Sequence, residues 1–296
     1  MSDIRKALDD VAREVDEWLG VLLPEGDGPE APVYEAMRYA ALGPGKRLRP
    51  FLVVETGRLF DVDRKRLMRA GAAIECVHTY SLVHDDLPCM DDDDLRRGRP
   101  TVHKAFDEAT AVLAGDALLT FAFELLAGAD THPDARVRAN LVLSLAKASG
   151  AQGMVGGQMI DIVSEKENKP TETLITRLQQ MKTGALIACA CDLGALLGQA
   201  SHEALHAIVG YSRDLGLAFQ IADDVLDVTG NVEEMGKAVG KDAGMGKATF
   251  VSLLGLERAK NQADLLAAQA AKYLDMFGSR ADNLRKIARY VVERRS

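Results

Sequence analysis

The chain has 296 residues, a net charge of −8, 47% hydrophobic residues and only 5% aromatic ones. That length suits one large core, the apolar content excludes a disordered chain, and the acidic balance argues against a nucleic-acid surface. Ala and Leu supply much of the apolar content, which favours helix over strand.

In chain order, Ile4, Leu8, Val11, Val15, Trp18, Leu19 and Leu22 recur at helical spacing, so a first helix is expected over 4–22. A turn-rich stretch with three prolines follows over 24–32, then a helix over 33–42 that Gly43-Pro44-Gly45 breaks. Pro50 suits the first turn of the next helix, because its missing N–H would be unpaired there. Further helices are expected over 67–86, 111–127, 137–150, 171–197, 202–229, 249–277 and 282–294, with a Gly- and Lys-rich loop over 230–247. No β-alternation of useful length and no domain boundary interrupts the series, so the expected fold is one all-α domain spanning 1–296. The four cysteines (Cys76, Cys89, Cys189, Cys191) lack a zinc-like spacing and are expected as free thiols. No basic-then-apolar leader and no run of about twenty uninterrupted apolar residues is present, so a cytoplasmic protein without a membrane span is expected.

Two helix ends carry aspartates. In Asp223-Asp224-Val225-Leu226-Asp227, Asp223 and Asp227 share one helix face, and carboxylates so placed suit Mg²⁺ completed by substrate phosphates. In Asp85-Asp86-Leu87-Pro88-Cys89-Met90-Asp91 the outer aspartates are six apart, about 240° around a helix. Pro88 must therefore end or bulge the helix to swing Asp91 back. Asp92 to Asp94 read as a solvated loop. Carboxylates at a helix C-terminus oppose its dipole, a cost that a bound cation offsets. His78, Ser81 and Asp85 fall on one face.

Cations match these carboxylates. Lys46, Arg47 and Arg49 precede a helix start, Arg96, Arg97 and Arg99 follow the first acidic segment, and Lys237, Lys241 and Lys247 punctuate the Gly-rich loop. Helix N-termini and arginine forks both hold phosphate.

These segments, with Gly45-Lys46-Arg47-Leu48-Arg49-Pro50, Lys182-Thr183-Gly184 and Phe219-Gln220, resemble the trans-prenyltransferases (polyprenyl diphosphate synthases), in the family's order and from about residue 33 onward. The spacer of the first motif resembles bacterial farnesyl and plant geranylgeranyl diphosphate synthases. The resemblance implies a bundle of ten or more helices around a deep central cavity, and Mg²⁺-dependent condensation of isopentenyl diphosphate with dimethylallyl and geranyl diphosphate. It implies three Mg²⁺ ions, with Mn²⁺ as a substitute, on Asp85, Asp91 and Asp223, supported by Asp86, Asp224 and Asp227. Arg96, Lys182, Lys237 and Lys247 would hold the allylic diphosphate, and Lys46, Arg49, His78 and Arg97 isopentenyl diphosphate. Thr183 and Gln220 would face the developing cation, with Gln158 and Asp161 supporting. The catalytic set so implied is Asp85, Asp91, Arg96, Lys182 and Asp223. Tyr80 and Ser81, five and four residues before Asp85, would floor the product pocket, and Tyr80 there favours a fifteen-carbon product. A homodimer is also implied. The family usually has Gly-Gly where this chain has Pro44-Gly45. Geranylgeranyl diphosphate synthase, terpene cyclase and non-catalytic partner subunit remain as rival readings; the Lys46–Arg49 cluster argues against a cyclase, which needs no second substrate.

Overall fold

The computed structural model describes residues 2–164, 171–229 and 249–294. Fourteen α-helices carry the chain among these residues. Helix α1 (Ser2–Leu22) buries Ile4, Leu8, Val11, Val15 and Leu19, the stripe that its spacing predicts. Helix α2 (Ala31–Ala41) begins with Pro32 in its first turn, where no N–H is missed. Helices α3 (Leu48–Arg58) and α4 (Arg64–Asp85) follow, and α3 starts two residues earlier than Pro50 suggests, with Arg47 in the left-handed region at its entrance. A hairpin of β1 (Leu95–Arg96) and β2 (Arg99–Pro100) turns through Arg97 and Gly98, both at positive φ, as a two-residue hairpin favours.

After α5 (Val102–Ala105), helices α6 (Glu108–Ala127) and α7 (Ala135–Ser149) are capped by Asp107 and Asp134, whose carboxylates accept first-turn N–H groups. Then come α8 (Met154–Ser164) and α9 (Glu172–Gln179), a π-helical turn (Gln180–Gly184), α10 (Ala185–Leu197) and α11 (His202–Thr229). The chain ends with α12 (Phe250–Leu254), α13 (Leu256–Tyr273), a 3₁₀ segment (Asp275–Ala281) and α14 (Asp282–Glu293).

Helices α3, α4 and α10 are buried along most of their length and form the centre, with α1, α2, α6, α7, α11 and α14 packed about them. Phe51, Ile74, Leu118, Leu193, Tyr211 and Leu284 belong to this one core. A smaller cluster, including Ile175, Ile221, Phe250 and Leu266, joins α9, α11, α12 and α13.

Three expectations change. The stretch 154–164, for which no helix is expected, is helical, 171–197 is interrupted by the π-turn, and 249–277 is cut at Gly255 (φ 80°) and again at Leu274. Helix α6 is long and apolar enough to cross a membrane by length and composition alone. Yet Ala111, Ala114, Leu118 and Ala122 of one face are fully buried, and α6 packs on α4, α2 and α7, as a core helix does. All four cysteines are free, and only Cys89 is exposed.

Candidate active site

Helix α4 stops at Asp85, and the chain folds back through Pro88. The Asp91 N–H donates to the Asp85 carbonyl (2.8 Å), and the Met90 and Asp92 N–H groups donate to the Leu87 carbonyl (2.9 and 3.1 Å). This compact turn places Asp91 beside Asp85, as the proline predicts. Burial pushes the Asp85 carboxyl up to about 6, opposed by Lys182 and Arg96 and reinforced by Asp91 and Asp86. Asp86 is held differently. It is 3% exposed and gripped by Arg96, whose Nε lies 2.8 and 2.9 Å and Nη2 2.6 Å from its carboxylate. Asp86 thus ties the β1–β2 hairpin to the end of α4.

Lys182 and Thr183 sit on the π-turn, where one residue too many per turn pushes the backbone outward. Lys182 Nζ donates to Asp161 Oδ2 at 2.5 Å, so α8 holds the ammonium that acts on Asp85. Gly157 lets α8 approach: a methyl there would collide with the Lys182 backbone. Gln158 is half-buried on the same helix, and Gln220 is half-buried on α11, which packs on the π-turn.

On α11, Asp223 forms an ion pair with Arg294, and the Arg294 guanidinium lies 4.1 Å over the Phe219 ring. Asp224 is 3% exposed and accepts the Phe250 N–H at 2.7 Å, which fastens α12 to α11. Asp227 is half-buried one turn on. Lys237, Lys241 and Lys247, with the loop expected over 230–247, lie outside the described residues.

The basic residues separate into two groups. Arg47 is a correction to the cationic cluster: it is 3% exposed and committed to Glu75 (2.8 Å), Asp16 (2.8 Å) and the Ala41 and Gly43 carbonyls. Its burial opposes its charge, but Glu75 and Asp16 more than offset that and raise its pKa. It pins the turn before α3. Arg99 likewise stacks on Tyr39, 4.2 Å from the ring.

Arg49 differs. Its Nε is buried with no hydrogen-bond partner, and burial, then the neighbouring Arg97, lowers its pKa while Glu75 and Asp223 support it. Arg97 donates to the Pro44 carbonyl, so the Pro44-Gly45 turn becomes a fixed arm of the site. Burial lowers the His78 pKa well below the usual value, and Arg49, Arg97, Arg47 and Arg96 lower it further, so the imidazole is neutral at neutral pH. His78 and Arg97 line a cleft of about 60 Å³ with Asp86 and Arg96. Lys46 is exposed at the same turn.

Tyr80 is 6% exposed one turn before His84, and burial with the charge of Asp85 pushes its hydroxyl up to about 12. The Ser81 hydroxyl donates to the His78 carbonyl at 2.9 Å.

Among the described residues, no three carboxylate, imidazole or thiol side chains converge into a closed metal cage. The donors nevertheless fit a hard cation that shares its shell with a ligand. Asp85 and Asp91 are mutually repelling carboxylates, and Arg49 keeps a buried guanidinium Nε without a hydrogen-bond partner. The sequence reading missed Arg294. The only signal for it in the sequence is a basic residue just past the last helix.

Comparison with known proteins agrees with this architecture. The family described as polyprenyl synthetase matches residues 30–291. The farnesyl diphosphate synthase of Escherichia coli is 45% identical over 297 residues, covering 99% of each chain. Geranylgeranyl pyrophosphate synthase 11 of Arabidopsis thaliana is also 45% identical, over 266 residues, covering 88% of this chain and 74% of the relative. The apo crystal structure of an FPP/GFPP synthase from Zymomonas mobilis is 51% identical with a TM-score of 0.89, covering 98% of this chain and 99% of that one.

Proposed function

The chain belongs to the polyprenyl synthetase family and is a trans-prenyltransferase of the farnesyl or geranylgeranyl diphosphate synthase type, and on that premise we propose that it makes farnesyl diphosphate. It does so by successive 1′-4 condensations of isopentenyl diphosphate onto dimethylallyl and then geranyl diphosphate. The observation that carries the site assignment is the meeting of the Asp85–Asp91 turn with Lys182 on one side and the arginines around neutral His78 on the other.

In this reading Asp85, Asp91 and Asp223 would hold three Mg²⁺ ions, with Asp227 adding negative charge nearby. Bound there, the metal supplies electrostatic stabilisation of the departing diphosphate. Arg96 and Lys182 meet the same diphosphate, Arg96 held by Asp86 and Lys182 by Asp161. The family resemblance assigns Lys237 and Lys247, outside the described residues, to the same diphosphate. Arg49, Lys46, Arg97 and His78 hold isopentenyl diphosphate; a neutral His78 donates one hydrogen bond without demanding a counter-charge. The allylic C–O bond breaks, the new C–C bond forms at the isopentenyl terminal carbon, and one proton leaves to the released diphosphate. Thr183 and Gln220 present oxygens to the transient cation, and Gln158 supports the α8 wall. Water must be excluded for the cation to survive.

Product length is the finer point. The E. coli relative's name, over nearly the whole of both chains, supports fifteen carbons, whereas the plant relatives' names at equal identity favour twenty. Tyr80, bulky and buried five residues before Asp85, favours the shorter product. A second copy of the chain covers the exposed apolar residues Val112, Leu113 and Leu143 of α6 and α7, giving a homodimer.

The test is to incubate the protein with isopentenyl diphosphate, Mg²⁺ and, separately, dimethylallyl or geranyl diphosphate, and to chromatograph the dephosphorylated products. A fifteen-carbon end product is expected. A twenty-carbon end product would keep the chemistry and remove the role given to Tyr80. Substitution Tyr80→Ala is expected to shift the product to twenty carbons or more, read on the same chromatogram.

A further inference from the structure

His84, next to Asp85 in the sequence, has no role in the reading above. His84 lies four residues after Tyr80, on the same face of α4. Its ring meets the Tyr80 ring edge-to-face, with centroids 5.7 Å apart and an interplanar angle of 82°. Its Nε2 lies 3.1 Å from the Val112 carbonyl of α6. A carbonyl only accepts, so Nε2 carries the proton and donates. The imidazole is seated in a notch that α6 leaves at Gly115, where a methyl group would overlap the ring. His84 is thus fixed at both ends: by its own helix, and by a bond to the backbone of the neighbouring one.

A tyrosine side chain has few rotamers, and an edge-to-face partner removes some of them. Without that partner, Tyr80 faces a space the size of an imidazole into which its ring can swing. A floor that swings is a deeper floor.

We propose that His84 and Gly115 form a lock on the Tyr80 ring, so that His84 is a positioning residue for product length. The proposal rests on the reading of Tyr80 as pocket floor. His84 acts on the product only through Tyr80. It touches neither diphosphate and contributes nothing to the first bond formed. The lock also spans two helices: any displacement of α6 relative to α4 moves His84 and, with it, the floor.

The experiment measures the ratio of twenty- to fifteen-carbon product for four proteins: wild type, His84→Ala, Tyr80→Ala and the double variant Tyr80→Ala/His84→Ala. His84→Ala is expected to raise the ratio about fivefold, equivalent to about 1 kcal/mol at about 1.36 kcal/mol per decade. KM for isopentenyl diphosphate should stay unchanged. In the double variant, removal of His84 should add nothing to the effect of Tyr80→Ala, because the two residues act as one unit. A merely structural His84 would lower the thermal midpoint and leave the ratio alone, which overturns the proposal. If Tyr80→Ala lengthens the product and His84→Ala does not, the lock falls while the floor stands. If Tyr80→Ala has no effect, the floor reading falls and the lock with it. Equal added effects of His84→Ala with and without Tyr80 would also overturn it. Should His84→Ala fold poorly, Gly115→Ala tests the same point by pushing the imidazole out of its notch, with the same rise in ratio expected.

Discussion

At the end of α4 the chain turns back at Asp85, whereas at the second acidic segment α11 runs straight on past Asp223 to Thr229. Both segments nevertheless split their adjacent aspartates in the same way. The inner one, Asp86 or Asp224, is 3% exposed and spent on structure: Asp86 on the Arg96 guanidinium, Asp224 on the Phe250 N–H. The outer one, Asp85 or Asp223, is the one assigned to the proposed metal site. There the two ends differ. Asp85 is desolvated and crowded by Asp91, with Lys182 opposite, while Asp223 is already occupied by Arg294. One acidic pair therefore supplies a preformed, repelling pair of carboxylates, and the other a carboxylate with a resident counter-ion. An Asp-Asp pair at a helix end needs two jobs done, and a helix puts successive side chains about 100° apart, which separates them.

The largest break in that comparison is Asp85→Ala. Turnover should fall about 10³-fold, the scale of losing a main electrostatic contact to the leaving group. The thermal midpoint should hold or rise, since a desolvated carboxylate is removed. Near-normal turnover at saturating Mg²⁺ would take Asp85 out of the site. Asp86→Ala should do the opposite in kind: a buried partner of Arg96 is lost, at a cost of about 3 kcal/mol of stability. Asp224→Ala leaves the Phe250 N–H without its acceptor and should cost about 1–2 kcal/mol. Urea denaturation of both variants reads these values. Equal stability losses at Asp85 and Asp86 would erase the division between inner and outer carboxylates.

Much of this was legible beforehand, and the exceptions have causes. Helix α11 matches its expected limits at both ends because its apolar spacing is unbroken from His202 to Thr229. The fold-back at Asp91 was legible because six residues cannot share a face without a break, and Pro88 marks the break. The π-turn at Lys182 was not, since one inserted residue leaves the apolar pattern on either side intact. Helix α8 is not among the expected helices: Gly156 and Gly157 weaken its helical signal, although Gly157 is small in order to admit the Lys182 backbone. Arg47 was misassigned because sequence shows a charge and not its partner; Glu75 lies 28 residues away. Arg294 pairs with an aspartate 71 residues away, and only the folded chain brings them together.

A half-buried carboxylate on α10 sharpens the same comparison. Asp192 on α10 has its Oδ1 buried without a partner, and burial pushes its pKa up to about 6. Unlike the carboxylates of Asp86 and Asp224, its Oδ1 meets no donor among the described residues. Below about pH 4 the folded and unfolded chains both keep the proton, and stability is untouched. Between about pH 4 and 6 the unfolded chain releases it while the folded one does not, so stability falls as pH rises, by about 2–3 kcal/mol once above 6. Asp192→Asn should therefore gain about 1–2 kcal/mol at pH 7.5 and nothing at pH 4, a difference that thermal denaturation at the two pH values measures. An equal gain at both would show that the group stays ionised in the fold.

The smallest expected effect probes the resident counter-ion itself. Arg294 ends α14 with its side chain 6% exposed, stacked on Phe219 and paired to Asp223, whose own side chain is 44% exposed. A cation arriving at Asp223 must share that carboxylate with a guanidinium or displace it. Removing the guanidinium removes both the competition and a like charge. Arg294→Ala should therefore bind Mn²⁺ about threefold more tightly in the absence of substrate, about 0.7 kcal/mol at about 1.36 kcal/mol per decade. Electron paramagnetic resonance of free Mn²⁺ reads this without any turnover. The gain should shrink at high salt, because Asp223 is close to solvent and its interactions are screened. The companion variant Asp86→Ala should leave Mn²⁺ affinity at Asp223 unchanged, since Arg96 and Arg294 serve opposite ends of the site. If Arg294→Ala instead weakens Mn²⁺ binding, the guanidinium holds Asp223 in position for the cation, and both acidic segments are then preformed.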